Sequence, residues 1–148
     1  MIEYKSGDIF QSNALVLVNP VNTVGVMGAG LALKFRQKYP FMYANYKKLC
    51  ADHELVVGKP KLVSRENGWI LLFPTKTDWR EPSKLEYIEK GLTYLHNTIM
   101  SNCYTCAGFS FAFPKLGCGC GQLDWNSDVK PIMEKYLSDL PCICYIYE

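Results

Sequence analysis

Asn19-Pro20-Val21-Asn22-Thr23-Val24-Gly25-Val26-Met27-Gly28-Ala29-Gly30-Leu31-Ala32 follows an apolar run over residues 14–18. The pattern predicts a short buried strand that empties into a glycine-punctuated loop and then opens a helix. Such a junction cradles phosphate. The first four N–H groups of a helix lack internal partners, and the helix dipole adds partial positive charge there. Glycines at 25, 28 and 30 let the backbone turn tightly and approach a ligand closely. Asn19 and Asn22 offer amides that donate to and accept from sugar hydroxyls. The loop is not a P-loop, because no Gly-Lys-Ser/Thr closes it, and it lacks the G-x-G-x-x-G spacing of a dinucleotide fingerprint.

On either side of this loop, strands and helices alternate. Residues 2–5, 14–19, 61–64, 69–73, 108–113 and 142–147 predict strands, with Asn67-Gly68 as a tight hairpin turn. Residues 29–38 and 41–50 predict helices on either side of Pro40. Residues 83–100 carry the clearest helical period, with Ser83 and Glu86 spaced as a capping box and Leu85, Ile88, Leu92, Leu95 and Ile99 on one face. Gly91 breaks that helix's propensity and predicts a close packing contact. A last helix is expected over residues 127–138, capped by Asp124. The alternation predicts a three-layer α/β/α domain over residues 1–148, its central sheet mixed but mostly parallel, because the strands lack a polar face.

The 148 residues suffice for one core, and 49% of them are apolar and 20% charged. A net charge of +2 is too small to argue for nucleic-acid binding, so any basic surface must be local. The first residues read as a strand rather than a leader, and no apolar run approaches membrane-spanning length. The expectation is a cytoplasmic monomer without membrane contact. Seven cysteines without a disulfide framework read as reduced, mostly buried thiols. Cys103-Tyr-Thr-Cys106 has a zinc-like spacing but no second well-spaced pair, so no metal is expected.

Three further segments carry candidate chemistry. Pro114-Lys-Leu-Gly-Cys-Gly-Cys-Gly121 repeats the strand–glycine loop–helix arrangement and exposes successive N–H groups as an anion nest. Two such loops at the carboxyl ends of strands suit a diphosphate lying between them. Asp8, after the first strand, reads locally as a turn residue first, with an acceptor for an exocyclic amine as the alternative. Phe73-Pro-Thr-Lys-Thr-Asp-Trp-Arg80 places Lys76 just after a strand. A lysine held in a desolvated cleft can act as a nucleophile. Trp79 and Arg80 could stack on a base and hold a phosphate, or could merely brace the loop.

Gly7-Asp-Ile9, Asn19-Pro-Val-Asn22, Gly25-Val-Met-Gly-Ala-Gly30 and Pro114-Lys-Leu-Gly-Cys-Gly119 together resemble the macrodomains, a family that binds ADP-ribose. Phe73-Pro-Thr-Lys76, Trp79-Arg80 and Gly121-Gln-Leu-Asp-Trp125 are similar to the branch that reverses DNA ADP-ribosylation in bacterial toxin–antitoxin pairs. They also resemble the related glycohydrolases that act on glutamate-linked ADP-ribose. The resemblance implies roles. Asp8 and the Ile9 amide would bind adenine, Asn22 would orient the distal ribose and Asn19 would shape its loop. Gly28, Ala29, Gly30 and Leu31 would hold the phosphates together with Leu116, Gly117, Cys118, Gly119, Cys120 and Gly121, and Thr75 would add to the site. Lys76 would attack or polarise the anomeric carbon of the distal ribose, without any cofactor. Trp79 and Arg80 would face DNA, and a cognate ADP-ribosyltransferase toxin would be the partner. The sequence departs from the pattern twice. Gly121 stands where the glutamate-type enzymes carry an aspartate, and Asp78 stands where the DNA-type branch often has histidine.

Overall fold

Val16–Asn22 forms the strand β2, and six of its seven residues are buried. Val16 and Val18 project to one face of the sheet, and Leu17 and Val21 to the other. Both faces are therefore dry, as the absence of a polar alternate face predicts for strands covered on two sides. The computed structural model describes residues 1–102 and 108–148. The Cys103/Cys106 pair considered for zinc lies outside the described residues.

The remaining strands are β1 (Ile2–Lys5), β3 (Lys61–Arg65), β4 (Gly68–Lys76), β5 (Ser110–Phe113) and β6 (Ile143–Tyr147), and the helices are α1 (Gly30–Lys38), α2 (Pro40–Ala51), α3 (Leu85–Ser101) and α4 (Lys130–Leu137). The six strands run in the order β1-β6-β5-β2-β4-β3. Every pairing is parallel except the hairpin β3–β4. This is the mixed, mostly parallel sheet that the element pattern predicts. One core lies between the sheet and α3 and α4, with Phe73, Ile88, Leu92, Phe113 and Met133 at its centre. The other lies under α1 and α2, with Phe35, Met42, Tyr46 and Leu72.

Two strands run further than the hydrophobic runs predict. β2 continues through Pro20 to Asn22, and β4 continues through Pro74 to Lys76. Proline donates no ladder hydrogen bond and is tolerated where a strand is open on one side. Beyond Leu17, β2 has lost β5 and pairs only with β4. Beyond Leu72, β4 has lost β3 and pairs only with β2. The prolines thus sit in one-sided stretches. After a register shift at Val21/Asn22, Asn22 stands beside Lys76, so the lysine closes a strand rather than following one.

The capping box before α3 does not form. Lys84 takes the cap position without a side-chain hydrogen bond, and Ser83 lies one residue too early, its hydroxyl unpartnered among the described residues. Asp124 does act as a cap, accepting from the Ser127 amide at 2.8 Å, although the first turn it opens, Trp125–Val129, is a π-helix. β5 begins at Ser110, two residues later than the apolar run predicts. Cys50, Cys142 and Cys144 are buried, Cys118 is half-buried and Cys120 is exposed, all as free thiols.

Candidate active site

The carboxyl ends of β2, β4, β5 and β6 open into one elongated cavity of about 1010 Å³. Asn22 and Lys76 end their strands in its wall, Pro114 follows β5 there, and Tyr147 closes β6. Gly7 and Asp8, just beyond β1, complete the rim at one end. Ligands of open α/β sheets bind in crevices outside such strand ends.

One wall is the start of α1. No side chain caps this helix, and its first internal bond is Leu33 N–H to Ala29 O at 3.2 Å. The amides of Gly30, Leu31 and Ala32 are therefore left for a ligand, and all three residues line the cavity with Gly28 and Ala29. The facing wall is the loop after β5. Gly117 (φ +73°) makes its turn, because a Cβ there would press to 2.8 Å from Ile88 Cδ1. The amides of Gly119, Cys120 and Gly121 donate to no group among the described residues. Gly117, Cys118, Gly119, Cys120 and Gly121 all line the cavity. The loops approach closely, since a Cβ on Gly30 would lie 3.2 Å from Cys120 Sγ. Two rows of free N–H groups face one gap, a geometry that fits a diphosphate.

Asn22 holds its own loop. Its Oδ1 accepts from the amides of Val24 (3.2 Å) and Val26 (3.3 Å), and its Nδ2 donates to Val26 O at 2.7 Å. The buried Tyr46 hydroxyl lies 2.7 Å from the same Oδ1 and 2.8 Å from Asn22 O. Burial pushes the Tyr46 phenol far above its ordinary pKa, so it stays a donor. One Nδ2 hydrogen remains for a ligand. At the other end of the cavity, Asp8 Oδ1 accepts from Phe10 N–H at 2.9 Å, which leaves its second oxygen open beside Ile9 and Phe10.

Half-buried Lys76 reaches across the cavity. Its Nζ donates to Cys120 O at 3.3 Å and to Trp79 O at 3.5 Å. The ammonium thereby ties the β4 loop to the second glycine loop, beside buried Thr75, which also lines the cavity. Trp79 stands at the mouth, 54% exposed.

Three residues expected in the site do not line the cavity. Asn19 is fully buried on the α1–α2 side, its Nδ2 3.8 Å from Met27 Sδ and 3.9 Å from Met42 Sδ. It touches the first glycine loop only from behind, through Met27. Leu116 is fully buried in the α3–α4 core and anchors its loop. Arg80 is turned to Asp78, with Nε 2.9 Å from Oδ1 and Nη2 2.7 Å from Oδ2. The same contacts pull the Asp78 carboxyl down to about 2. Conversely, Phe10, Ser83, Lys34, Lys115 and Tyr147 line the cavity. Of these, Lys34 and Lys115 are cations that the sequence itself suggests, with Arg80, as a basic rim guiding phosphates. Phe10, Ser83 and Tyr147 gave no sequence signal of their own. Among the described residues, no group of three His, Cys, Asp or Glu side chains is placed to hold a metal, and no helix is long and apolar enough to cross a membrane.

The macro domain profile matches residues 18–133. The chain is 42% identical over 145 residues to a DNA ADP-ribosyl glycohydrolase of Mycobacterium tuberculosis, covering 95% of this chain and 40% of that protein. Its fold matches the macrodomain of Mycobacterium tuberculosis DarG with a TM-score of 0.88 at 42% identity, covering 99% of this chain and 97% of that one. A DNA ADP-ribosyl transferase–DNA ADP-ribosyl glycohydrolase fusion protein of Thermosipho africanus is 39% identical over 161 residues, covering 95% of this chain and 40% of that protein. The solved structure of Thermosipho africanus DarTG in complex with ADP-ribose matches with a TM-score of 0.85 at 36% identity, covering 98% of this chain and 41% of that one. The chain thus spans about two-fifths of the length of these curated relatives.

Proposed function

The chain belongs to the macrodomain family, and from that premise we propose that it removes ADP-ribose from modified DNA bases, thymidine in single strands foremost. It would thereby reverse the work of an ADP-ribosyltransferase toxin, acting as a monomer in the cytoplasm. The observation that carries this reading is the Lys76 amine, held at the cavity wall by the Cys120 and Trp79 carbonyls and next to Asn22 in register.

In the proposed pose, adenine lies at Asp8 and Ile9 and the diphosphate between Gly28–Leu31 and Gly117–Gly121. The distal ribose then falls between Asn22 and Lys76. Lys76 Nζ gives up a proton to water, and its freed lone pair attacks the anomeric carbon. The bond from that carbon to the base nitrogen breaks, its electron pair leaves with the base, and the base takes up the proton that the lysine nitrogen loses on bonding to carbon. Water then adds to the same carbon, releasing ADP-ribose and returning the amine. The loop amides hold the phosphates and carry no part of the bond exchange. Single-stranded substrate avoids the cost of extracting a base from a duplex.

Gly121 favours DNA over glutamate esters as substrate. A Cβ there would meet Ser83 Oγ at 2.2 Å and Gly117 O at 2.5 Å. This loop has no room for the aspartate that the glutamate-type enzymes carry. Lys76→Ala is expected to lower turnover of an ADP-ribosylated thymidine oligonucleotide by about 10³-fold, the scale for losing a reacting group. Its affinity for free ADP-ribose should change little. Equal turnover by variant and parent would remove Lys76 from the reaction. A glutamate-modified protein assayed in parallel tests the ester alternative. Binding without turnover on either substrate would identify a reader of ADP-ribose instead.

A further inference from the structure

The net charge of +2 conceals a segregation. From residue 9 to residue 51 the sequence has five Lys/Arg and no Asp or Glu, a net +5 against −3 for the rest of the chain. That stretch includes α1 and α2. Lys34, Arg36, Lys38 and Lys47 are exposed, and none of them forms an ion pair among the described residues. Lys48 belongs elsewhere, in a small cleft with Glu54 and Lys61.

The basic side chains are interleaved with rings. Arg36 from α1 and Lys47 from α2 stand 4.6 Å and 4.9 Å from the centre of the Tyr43 ring. Lys38 lies 5.1 Å from the Phe10 ring. Phe41, the second residue of α2, is 89% exposed. The row reaches the cavity, because Lys34 and Phe10 line it. Dipole compensation explains cations in the last turn of α1. It does not explain Lys47, or a phenylalanine left in water at the start of α2.

We propose that the corner formed by α1 and α2 is a docking surface for single-stranded DNA flanking the modified nucleotide. The proposal rests on the DNA reading above and extends it to a second contact with the substrate strand. Unpaired cations suit the phosphates, and an exposed ring finds a base face only where bases are unstacked, which favours a single strand over a duplex.

The test is fluorescence anisotropy of an unmodified oligo-dT strand against the parent protein, over a salt series. Arg36→Glu/Lys47→Glu should weaken binding at least tenfold at low salt. Losing two phosphate contacts should flatten the slope of log K against log salt by about 1.4. Phe41→Ala, at a position too exposed to affect packing, should weaken binding at least fivefold. Lys90→Glu/Lys135→Glu, on α3 and α4, should leave it unchanged. Wild-type affinity in the first two variants would overturn the proposal. So would equal loss in the α3–α4 control, tighter binding to oligo-U than to oligo-dT, or tighter binding to phosphatidylserine vesicles. None of these readouts uses hydrolysis. If the parent fails to release ADP-ribose from modified DNA, the enzymatic reading fails and this one is judged by its own binding data.

Discussion

Ser83 Oγ is buried without a hydrogen-bond partner among the described residues, directly behind Gly121. Its backbone N–H donates to Gly121 O at 2.9 Å, so the residue clamps the loop that Lys76 also holds through Cys120 O. The clamp is the backbone bond, and the hydroxyl contributes nothing to it. A buried hydroxyl without a partner costs about 1–3 kcal/mol relative to water. Ser83→Ala is therefore expected to raise unfolding stability by about 1 kcal/mol in urea titration with an unchanged m-value. A loss of similar size would mean that the hydroxyl has a partner, such as a bound water. Asp78 and Arg80 show the opposite situation, in which an exposed pair satisfies its own charges. Because that contact depresses the Asp78 pKa to about 2, the carboxylate keeps its bond to Arg80 as pH falls and loses it only near 2. A guanidinium engaged in this way is a weaker candidate for a DNA phosphate than Trp79 beside it is for a base.

Gly91 sits in the middle of α3, where alanine would raise helix propensity by about 1 kcal/mol. Packing reverses that preference. A Cβ at 91 would lie 2.4 Å from Phe73 Cζ and 2.8 Å from Phe73 Cε1, and the fully buried Phe73 is pinned in β4 three residues before Lys76. Overpacking of this kind costs about 1–3 kcal/mol. Gly91→Ala should therefore destabilise the fold, seen as a lower urea midpoint, and a rise in the midpoint would show that Phe73 can move aside. The close contact at Gly91 was legible in the sequence, as were the helices around Pro40, the parallel sheet and both glycine loops. The strand ends were not. Hydrophobic runs stop at Pro20 and Pro74, yet the strands continue, because each proline falls where one neighbouring strand has already ended. That information belongs to the sheet order and not to the local sequence. The same limit hid Tyr147 and Ser83, and it hid that the Asn19 and Leu116 side chains are buried outside the cavity.

At the scale of the whole molecule, the cavity lies where the two cores meet. The first glycine loop is braced from the α1–α2 side through Tyr46 and Asn22. The second is seated on the α3–α4 side, where Gly117 packs under Ile88 and Leu123. A diphosphate bridging the two loops would tie one layer to the other across the sheet edge, so binding should register in global stability. A ligand that binds only the folded state adds about 2.7 kcal/mol at a hundred times its Kd. For a chain of this length, each kcal/mol raises Tm by about 2–4 °C. Saturating free ADP-ribose should therefore raise Tm by about 5–10 °C in differential scanning fluorimetry. Lys76→Ala should keep that shift, because the lysine is assigned to bond exchange and the loops to holding the nucleotide. Asp8→Ala removes a charged acceptor for the adenine amine, an interaction worth about 1.5–3 kcal/mol. At the same ligand concentration it should lose most of the shift. A Tm unmoved by ADP-ribose in the parent protein would mean that the facing amides do not hold a diphosphate, and the division of labour between loops and lysine would fall with them.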